Sequence, residues 1–426
     1  MTLSKDIISK IKSGEFDERL LDIYVDESVL DYQKNRYIKA IEKFEELYGE
    51  KEVEIYSAPG RSEVGGNHTD HQRGQVLACG LNLDVIAVVS PSDDGNIKIV
   101  SDDYDIKEIS ISDLEKRDSE ENTSESLIRG VAKKLEDEGY NIGGFKTFMT
   151  SDVLRGSGMS SSAAFEVAIG TILSGLYNNM EISPVFIAQA SQYAENVYFG
   201  KPCGLMDQMA SSVGSLVNID FKDVKNPVIK KVDVDFEKFS HSLCIVDTKG
   251  SHADLTPEYA AIPPEMKAVA AYFGKEVLRE VSVADFYANL ADIREKTGDR
   301  AVVRAIHFFD DHEKVTYEVK ALEDGDFDEF KRLITASGNS SFKYLQNVFA
   351  ASDVRNQGLS VGLAVSEHVL GDKGAVRVHG GGFAGTIQAF VPNDMVAEYK
   401  DAMDKLFGEG SCHVLKVRKY GGMKVC

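Results

Sequence analysis

Apolar and polar positions follow different periods along the chain, and these periods predict where helices and strands lie. In the first fifty residues apolar side chains such as Ile7 and Ile11 recur three or four positions apart, which is typical of amphipathic helices. From residue 52 the period changes, and β-branched residues favour strands at Glu52–Ala58 and Gln75–Ser90. We therefore expect an N-terminal helical extension over residues 1–50, followed by mixed α and β structure.

The rest of the chain predicts two α+β units. A strand at Phe145–Thr150 precedes a loop of glycines and serines, and apolar helices are expected at Ala163–Tyr177 and Pro184–Tyr198. Strand patterns return after residue 215 and long helices follow them. We predict a two-domain α+β fold, with residues 51–215 in the first domain and residues 216–426 in the second.

Composition narrows the classes of protein. A chain of 426 residues is too long for one compact core. The net charge of -21 disfavours nucleic acid and anionic membranes as partners, so any phosphate site must be locally positive. The five cysteines form no C-x-x-C pair, which fits a reducing compartment. With no apolar run near the roughly 20 residues that cross a bilayer, we expect a cytoplasmic protein.

The loop Gly156–Ala164 lies between a predicted strand and a predicted helix. Its glycines allow close approach to a ligand, and the first N–H groups of the following helix have no partners within that helix. Such a helix start binds phosphate, and three consecutive serine hydroxyls add donors. The alternative is an ordinary serine-capped helix after a glycine turn.

A second motif, Pro59–His71, reads as a glycine-punctuated loop after a strand. Its carboxylate, amide and imidazole groups suit the hydroxyls of a sugar, and Arg61 could balance charge on a transferring phosphoryl group. Two alternatives stay open: a metal site built from His68, Asp70 and His71, and a solvated polar turn.

A third motif, Gly200–Gln208, places Asp207 after a glycine and proline turn and at the start of a helix. Asp207 could accept the proton of an attacking hydroxyl, because phosphoryl transfer depends more on position than on basicity. For Asp207 taken alone, a helix N-cap is the favoured alternative.

The fourth motif, His379–Gly385, contains three consecutive glycines between two predicted strands. Glycines in this position favour close approach of the backbone to a ligand or to another segment. A mobile turn is the alternative.

Together and in this order, the four motifs resemble the GHMP kinases and, within them, the galactokinases. The matching segments are APGR with GGNHTDH, then GSGMSSSAA, PCGLMDQ and GGGFAG, from about Ser57 to Val391. The resemblance implies an N-terminal α+β domain beside a ferredoxin-like C-terminal domain, with the active site between them. It also implies ATP-dependent phosphorylation of the C1 hydroxyl of D-galactose, with Mg²⁺ as cofactor.

The resemblance further assigns roles to residues. Asp207 would be the base near the anomeric hydroxyl, and Arg61 would lower the pKa of that hydroxyl or stabilise the transition state. Ser162 and Glu195 would coordinate Mg²⁺. The residues expected to bind ATP are Gly156, Ser157, Gly158, Met159, Ser160, Ser161, Ser162 and, more loosely, Ser101. The residues expected to bind the sugar are Asn67, His68, Thr69, Asp70, Gly204 and Tyr259.

Departures from the galactokinase pattern lie in the sugar motif and the phosphate loop. Asn67 replaces a glutamate, His71 replaces a tyrosine, and residues 62–66 read SEVGG where VNLIG is usual. In the phosphate loop, Ser157 and Met159 replace Gly and Leu. Another galactose-like hexose, such as N-acetylgalactosamine, therefore stays open as the substrate. A sensor that binds sugar and ATP without turnover and a metal hydrolase are the alternatives of other classes.

Overall fold

The computed structural model describes residues 1–102, 104–153, 158–234, 236–250 and 255–426. The α-helices of these residues are α1 (Ser4–Ser13), α2 (Asp17–Tyr24), α3 (Leu30–Tyr48), α4 (Ser124–Asp137), α5 (Ser161–Asn178), α6 (Pro184–Tyr193), α7 (Met206–Val213), α8 (Thr256–Ala260), α9 (Ile262–Tyr272), α10 (Val283–Ala288), α11 (Leu290–Thr297), α12 (Asp299–Asp324), α13 (Phe327–Ser340), α14 (Gly358–Leu370) and α15 (Val396–Phe407). None of these described helices combines the length and the apolar character needed to cross a bilayer.

The strands form two sheets. In chain order they are β1 (Thr2–Leu3), β2 (Glu52–Gly65), β3 (Gln75–Ser92), β4 (Asn96–Ser101), β5 (Tyr104–Asp105), β6 (Ile109–Ser110), β7 (Gly144–Ser151), β8 (Leu216–Asp220), β9 (Val228–Val232), β10 (His241–Asp247), β11 (Ala375–His379), β12 (Thr386–Pro392), β13 (Cys412–Leu415) and β14 (Met423–Lys424). Helices and strands are mixed, as the α+β class predicts.

The larger sheet runs in the order β1-β2-β3-β7-β4-β5, with β14 on β2, β6 on β4, and β8 between β3 and β9. Its long central pair, β2 and β3, is antiparallel, whereas β4 and β7 are parallel. Strands β8, β9 and β14 come from beyond residue 215 and still join this sheet. How the chain divides into domains at that residue stays a prediction.

The smaller sheet has the order β11-β12-β10-β13 and is antiparallel throughout. Helices α14 and α15 cover it, and their apolar residues form one core cluster with Val246, Val378 and Ile387. The loop between β11 and β12 contains the three consecutive glycines. This sheet therefore presents that loop towards the end of β2.

Alternation along β3 divides the core of the larger sheet into two layers. Ala87 and Val89 pack with α4 and α5 on one face, whereas Ile86 and Val88 pack with α1, α2 and α3 on the other. The amphipathic segments of the first fifty residues thus cover one face of the sheet.

A buried ionic contact fastens the N-terminal helices to the sheet. Arg36 on α3 lies 2.7 Å from Asp84 on β3, and Arg418 lies 2.9 Å from the same carboxylate. Burial opposes ionisation of Asp84, but the two guanidinium groups outweigh burial and hold its pKa below the usual range. Three distant segments therefore depend on one carboxylate.

Strand β2 continues beyond Ala58, where the sequence predicted a loop. It reaches Gly65 through register irregularities between Pro59 and Arg61 and between Glu63 and Gly65. Such bulges accommodate proline and redirect side chains. Arg61 and Glu63 consequently share one face, which the sequence pattern did not reveal.

The predicted helix Pro184–Tyr198 is also interrupted. Regular α-helix ends at Tyr193, and a π-helical turn, Ala194–Phe199, follows it before Gly200 terminates the segment at a φ of 86°. Turns of this kind occur frequently at functional sites because the wider spacing reorients side chains. Glu195 lies in this turn.

Candidate active site

A cavity of about 260 Å³ lies where β2, the turn before α7 and the loop after β11 meet. It is a polar cavity of a size suited to a small ligand. The predicted residues that line it are Arg61, His68, Asp70, Gly204, Asp207 and Tyr259. Gly380 and Gly381 of the glycine loop line it as well. The structure therefore brings three of the four motifs to one cavity.

The loop Gly156–Ala164, predicted to bind phosphate and called the phosphate loop below, contacts this cavity through Asp207. Arg61 Nε donates to Asp207 Oδ1 at 2.7 Å, and Ser160 Oγ donates to Asp207 Oδ2 at 2.5 Å. Arg61 also donates through Nη1 to the carbonyl of Gly158. One arginine and one aspartate thus connect the second, first and third motifs.

The same contacts determine the ionisation of Asp207. Burial favours the neutral acid, but the Arg61 guanidinium and the Ser160 hydroxyl outweigh burial and hold the pKa of Asp207 below its ordinary value. Asp207 is therefore ionised at neutral pH. It is a ready hydrogen-bond acceptor, but a weak base.

The backbone of the phosphate loop turns sharply before α5. Gly158 and Ser160 have left-handed φ values of 70° and 55°, and α5 begins at Ser161. A Cβ on Gly158 would lie 2.4 Å from Thr386 Oγ1, so only glycine fits there. Ser161 and Ser162 occupy the first turn of α5, where free N–H groups point out of the helix.

The other predicted ATP-binding residues have different settings. Met159 is buried, and its carbonyl accepts the backbone N–H of Arg61 at 3.1 Å. Ser101 ends β4, and its neighbour Asp102 lines a second cavity of about 430 Å³ between α3 and β7. Gly156 and Ser157 lie outside the described residues.

Glu195 lies in a buried carboxylate cluster. Its Oε1 is 2.9 Å from Lys201 Nζ, and its Oε2 accepts a hydrogen bond from Gln208 at 2.7 Å. Gln208 also donates to Glu166 Oε2 at 3.2 Å. Burial and the charge of Glu195 raise the pKa of Glu166 well above its ordinary value, and Glu166 Oε1 has no partner among the described residues.

This cluster fits a magnesium ion chemically. Glu166 follows Ser162 by one helical turn on α5, so both lie on the same side of that helix. A hydroxyl and carboxylates are the hard oxygen donors that Mg²⁺ takes, usually with phosphate and water oxygens. Within the described ranges, no group of three or more His, Cys, Asp and Glu side chains is arranged to hold a metal ion. Magnesium binding by Ser162 and Glu195 stays a prediction.

His68, Tyr259 and Gly381 form one wall of the cavity. His68 Nε2 lies 3.0 Å from the carbonyl of Gly381, and the His68 ring lies 5.4 Å from the Tyr259 ring. Burial lowers the pKa of His68 to about 4, so the imidazole is neutral at physiological pH. A neutral ring and a phenol can both donate and accept hydrogen bonds with sugar hydroxyls.

Gly204 and Asp70 are in contact in the lining of the same cavity. A Cβ on Gly204 would lie 1.7 Å from Asp70 Oδ2, so the carboxylate occupies the space that a side chain would need. Burial, with the nearby charge of Asp207, raises the pKa of Asp70 to about 6.

Two predicted sugar-binding residues, Asn67 and Thr69, do not line the cavity. Asn67 is fully buried and its amide is saturated: Nδ2 donates to Glu63 at 2.9 Å and to the carbonyl of Gly380 at 2.7 Å, and Oδ1 accepts from Asn347 at 2.8 Å. Thr69 Oγ1 donates to the carbonyl of Gly66 at 2.9 Å. Both residues support the cavity from beneath.

The sequence interpretation missed several charged residues around the site. Arg377 and Glu166 are the informative cases, because each is an isolated charge within an apolar strand or helix. A buried charge requires a partner, so such a residue signals a long-range contact. The partners themselves, Glu63 and Gln208, required the fold.

The comparisons with known proteins first define the class. Residues 126–215 match the GHMP kinase N-terminal domain. The fold is similar to that of Methanococcus jannaschii mevalonate kinase, with a TM-score of 0.60, 14% identity, and coverage of 86% of this chain and 98% of that chain. Streptococcus pneumoniae phosphomevalonate kinase, with phosphomevalonate and AMPPNP, gives a TM-score of 0.57 at 12% identity over 87% of this chain and 99% of that chain. The chain has the GHMP kinase fold, which confirms the predicted fold class.

Further similarities within that class are to the galactokinases. Residues 42–91 match the galactokinase galactose-binding signature. The structure of Lactococcus lactis galactokinase complexed with galactose is similar, with a TM-score of 0.77, 24% identity, and coverage of 90% of this chain and 98% of that chain. The predicted resemblance to the galactokinases is confirmed, and both matched families are phosphotransferases that act on hydroxyl groups.

Proposed function

We propose that this protein transfers the terminal phosphate of ATP to the C1 hydroxyl of D-galactose, giving ADP and galactose 1-phosphate. The observation that carries the proposal is the contact of Asp207 with both Arg61 and Ser160, because it joins a polar cavity to a phosphate-binding helix start. The match of residues 42–91 to a galactose-binding signature supports galactose as the acceptor.

The contacts of Asp207 suggest how the acceptor is oriented. Ionised Asp207 accepts a hydrogen bond from the C1 hydroxyl and directs that oxygen towards the phosphate loop. As the bond from the C1 oxygen to the γ-phosphorus forms, the bond from that phosphorus to the β–γ bridging oxygen breaks, ADP leaves and the hydroxyl proton passes to Asp207. A weak base therefore suffices. Arg61 remains beside the reacting atoms and stabilises the charge of the transferring phosphoryl group.

The nucleotide side would be completed by magnesium. Ser162 and Glu195 would hold the ion, which neutralises charge on the ATP phosphates when bound. Lys201 already balances Glu195, at 2.9 Å, and keeps that carboxylate positioned. Gln208 donates to both Glu195 and Glu166 and so helps to position the Glu195 carboxylate.

We infer a cytoplasmic setting from the cysteines. Cys79, Cys203, Cys244, Cys412 and Cys426 are all free thiols. Unpaired thiols in this number are typical of reducing compartments, where ATP is also abundant.

A sugar panel with coupled detection of ADP tests the proposal. We expect turnover with D-galactose and MgATP, and weak turnover with glucose and N-acetylgalactosamine. Turnover with N-acetylgalactosamine but not with galactose would show that N-acetylgalactosamine, and not galactose, is the substrate. Binding of ATP and sugar without turnover of any sugar would instead favour the sensor.

A further inference from the structure

Glu63 is a buried carboxylate that the proposed mechanism does not use. It lines the cavity on the same face of β2 as Arg61, with only 3% of its surface exposed. Ser62, between them, points to the other side, where its Oγ contacts His379 and Gln388. The register of β2 therefore aims both Arg61 and Glu63 at the ligand space.

The two oxygens of Glu63 have different surroundings. Oε1 accepts hydrogen bonds from Arg377 Nη2 at 2.5 Å and from Asn67 Nδ2 at 2.9 Å. Oε2 accepts none among the residues that the structure describes. A largely buried carboxylate that lines a cavity gains from a donor on each oxygen, so a ligand donor would be favoured at Oε2.

Asn67 cannot supply this contact in place of Glu63. Its amide is already bonded to Glu63, to Gly380 and to Asn347, so a contact with ligand would break bonds within the protein. The pair runs carboxylate then amide along the chain, the reverse of the galactokinase order, in which Asn and Glu occupy these two positions. This chain therefore keeps one carboxylate and one amide at these two positions, but the carboxylate is at position 63 instead of position 67.

We propose that Glu63 contacts the sugar and selects the substrate by accepting a hydrogen bond, through Oε2, from a hydroxyl remote from C1. The orientation of the sugar in this proposal rests on the proposed function, which places C1 beside Arg61 and Asp207. Two residues along a strand span about 6 to 7 Å, so Glu63 meets the far side of a pyranose rather than its C2 hydroxyl. Hydroxyls at positions 3, 4 and 6 are the candidates.

The electrostatics of Glu63 agree with this assignment. Burial raises the pKa of Glu63 to about 7, although Arg377 and Arg61 oppose the shift. The ionised carboxylate is therefore incompletely stabilised by the protein. A hydroxyl donor would supply the missing interaction, and charged hydrogen bonds of this kind are the strong ones.

The test combines substitutions in the protein with deletions in the sugar. Calorimetry without nucleotide measures binding of galactose and of its 2-, 3-, 4- and 6-deoxy forms to wild type and to Glu63→Gln. We expect Glu63→Gln to weaken galactose binding ~10- to 100-fold, with ATP affinity unchanged. For one of the hydroxyls at positions 3, 4 and 6, the deoxy sugar should bind wild type more weakly than galactose does, but should bind Glu63→Gln as well as galactose does. Deletion of the C2 hydroxyl should weaken both proteins equally.

Two further variants protect the test against misfolding. Glu63→Gln leaves Arg377 buried without its ion partner, so the double variant Glu63→Gln with Arg377→Met removes both charges and should show the same hydroxyl pattern. Glu318→Gln is the matched control, because Glu318 is a fully buried carboxylate near Gly65 that does not line the cavity. It should bind every sugar as wild type does.

Each failure is distinguishable. If wild type binds no galactose, the proposed function is wrong. If wild type binds galactose and every deoxy sugar loses the same affinity in wild type and Glu63→Gln, Glu63 makes no sugar contact and the inference is wrong. Equal weakening by Glu318→Gln would also overturn it, since loss of any buried carboxylate would then suffice.

Discussion

The proposed phosphate side of the site, Gly158–Ser162 with α5, and the proposed sugar side are built in opposite ways. The phosphate side is local, because Gly158 to Ser162 and the helix α5 that follows are contiguous in the chain. The sugar side combines residues from β2, from the turn before α7, from α8 and from the loop after β11. A short motif can specify a helix start, whereas a sugar cavity requires the packing of distant segments.

The two sides also differ in electrostatics. Asp207, at the junction, has a lowered pKa because Arg61 and Ser160 stabilise its charge. The sugar-side carboxylates Glu63 and Asp70 have pKa values raised to about 7 and about 6, because burial dominates there. The protein therefore stabilises the ionised form of Asp207 fully, whereas it stabilises the ionised forms of Glu63 and Asp70 only in part. A hydrogen-bond donor on a ligand would stabilise these two carboxylates further.

The largest effect should follow from Asp207→Asn, which removes the acceptor at the junction of the two sides. We expect kcat to fall ~10³-fold while both ATP and sugar still bind, because the anomeric hydroxyl loses its oriented acceptor. Single-turnover kinetics and calorimetry measure the two quantities. Ser160→Ala is the matched comparison and should lose far less, since it removes only one contact of Asp207. A kcat near wild type for Asp207→Asn would remove Asp207 from the mechanism.

Asn67→Ala tests whether this residue belongs to the framework. The substitution removes the buried hydrogen bonds that Asn67 makes to Glu63, Gly380 and Asn347, so the free energy of unfolding should fall by about 2 to 4 kcal/mol. Denaturant unfolding measures the change. The exposed control Asn226→Ala should stay within about 0.5 kcal/mol of wild type. An Asn67→Ala protein of unchanged stability would contradict the framework role.

Gly204→Ala perturbs only the sugar side. The new methyl group would displace the Asp70 carboxylate, whose Oδ2 lies 1.7 Å from the Cβ position. We expect KM for the sugar to rise ~10-fold or more, with KM for ATP unchanged. Steady-state kinetics with each substrate varied in turn measures both constants. Pro202→Ala, at the rim of the same cavity, is the control, and equal effects on both KM values would mean that the two sides are not separable.

The smallest effects should appear in pH titrations. The pKa values of Asp70, Glu63 and Glu318 are raised to about 6, 7 and 8. Protonation is favoured in the folded state, so their contribution to stability is complete below about pH 4 and is lost as the pH rises through 6 to 8. Sugar affinity should change in the opposite direction and improve a few-fold over this range, because Glu63 and Asp70 accept hydrogen bonds as carboxylates.

Calorimetry with galactose and thermal unfolding, each over about pH 5.5 to 8.5, check these opposite slopes. In Glu63→Gln the sugar-binding slope should flatten, whereas ATP affinity should show no matching slope. Sugar affinity that falls with rising pH would contradict the assignment.

Much of the fold was predictable because it depends on local periodicity. The helices of the first fifty residues, the long strand β3 and helix α5 follow directly from apolar spacing. The continuation of β2 to Gly65 was not predictable, because Pro59 and the glycines after it are typical of a loop, and only the bulged pairing with β3 accommodates them. The π-helical turn at Glu195 was hidden for a similar reason, since a helical period does not show one inserted residue.

The candidate site divides in the same way. The sequence by itself predicted the loop before α5, the glycine loop and Asp207 as site residues, because glycine geometry and helix starts are properties of short segments. Only the tertiary structure decided that Glu63 faces the cavity and that Asn67 lies beneath it. A one-residue change in strand register exchanges the two faces, and long-range packing, here of Arg377 against Glu63 on β2, helps to set that register.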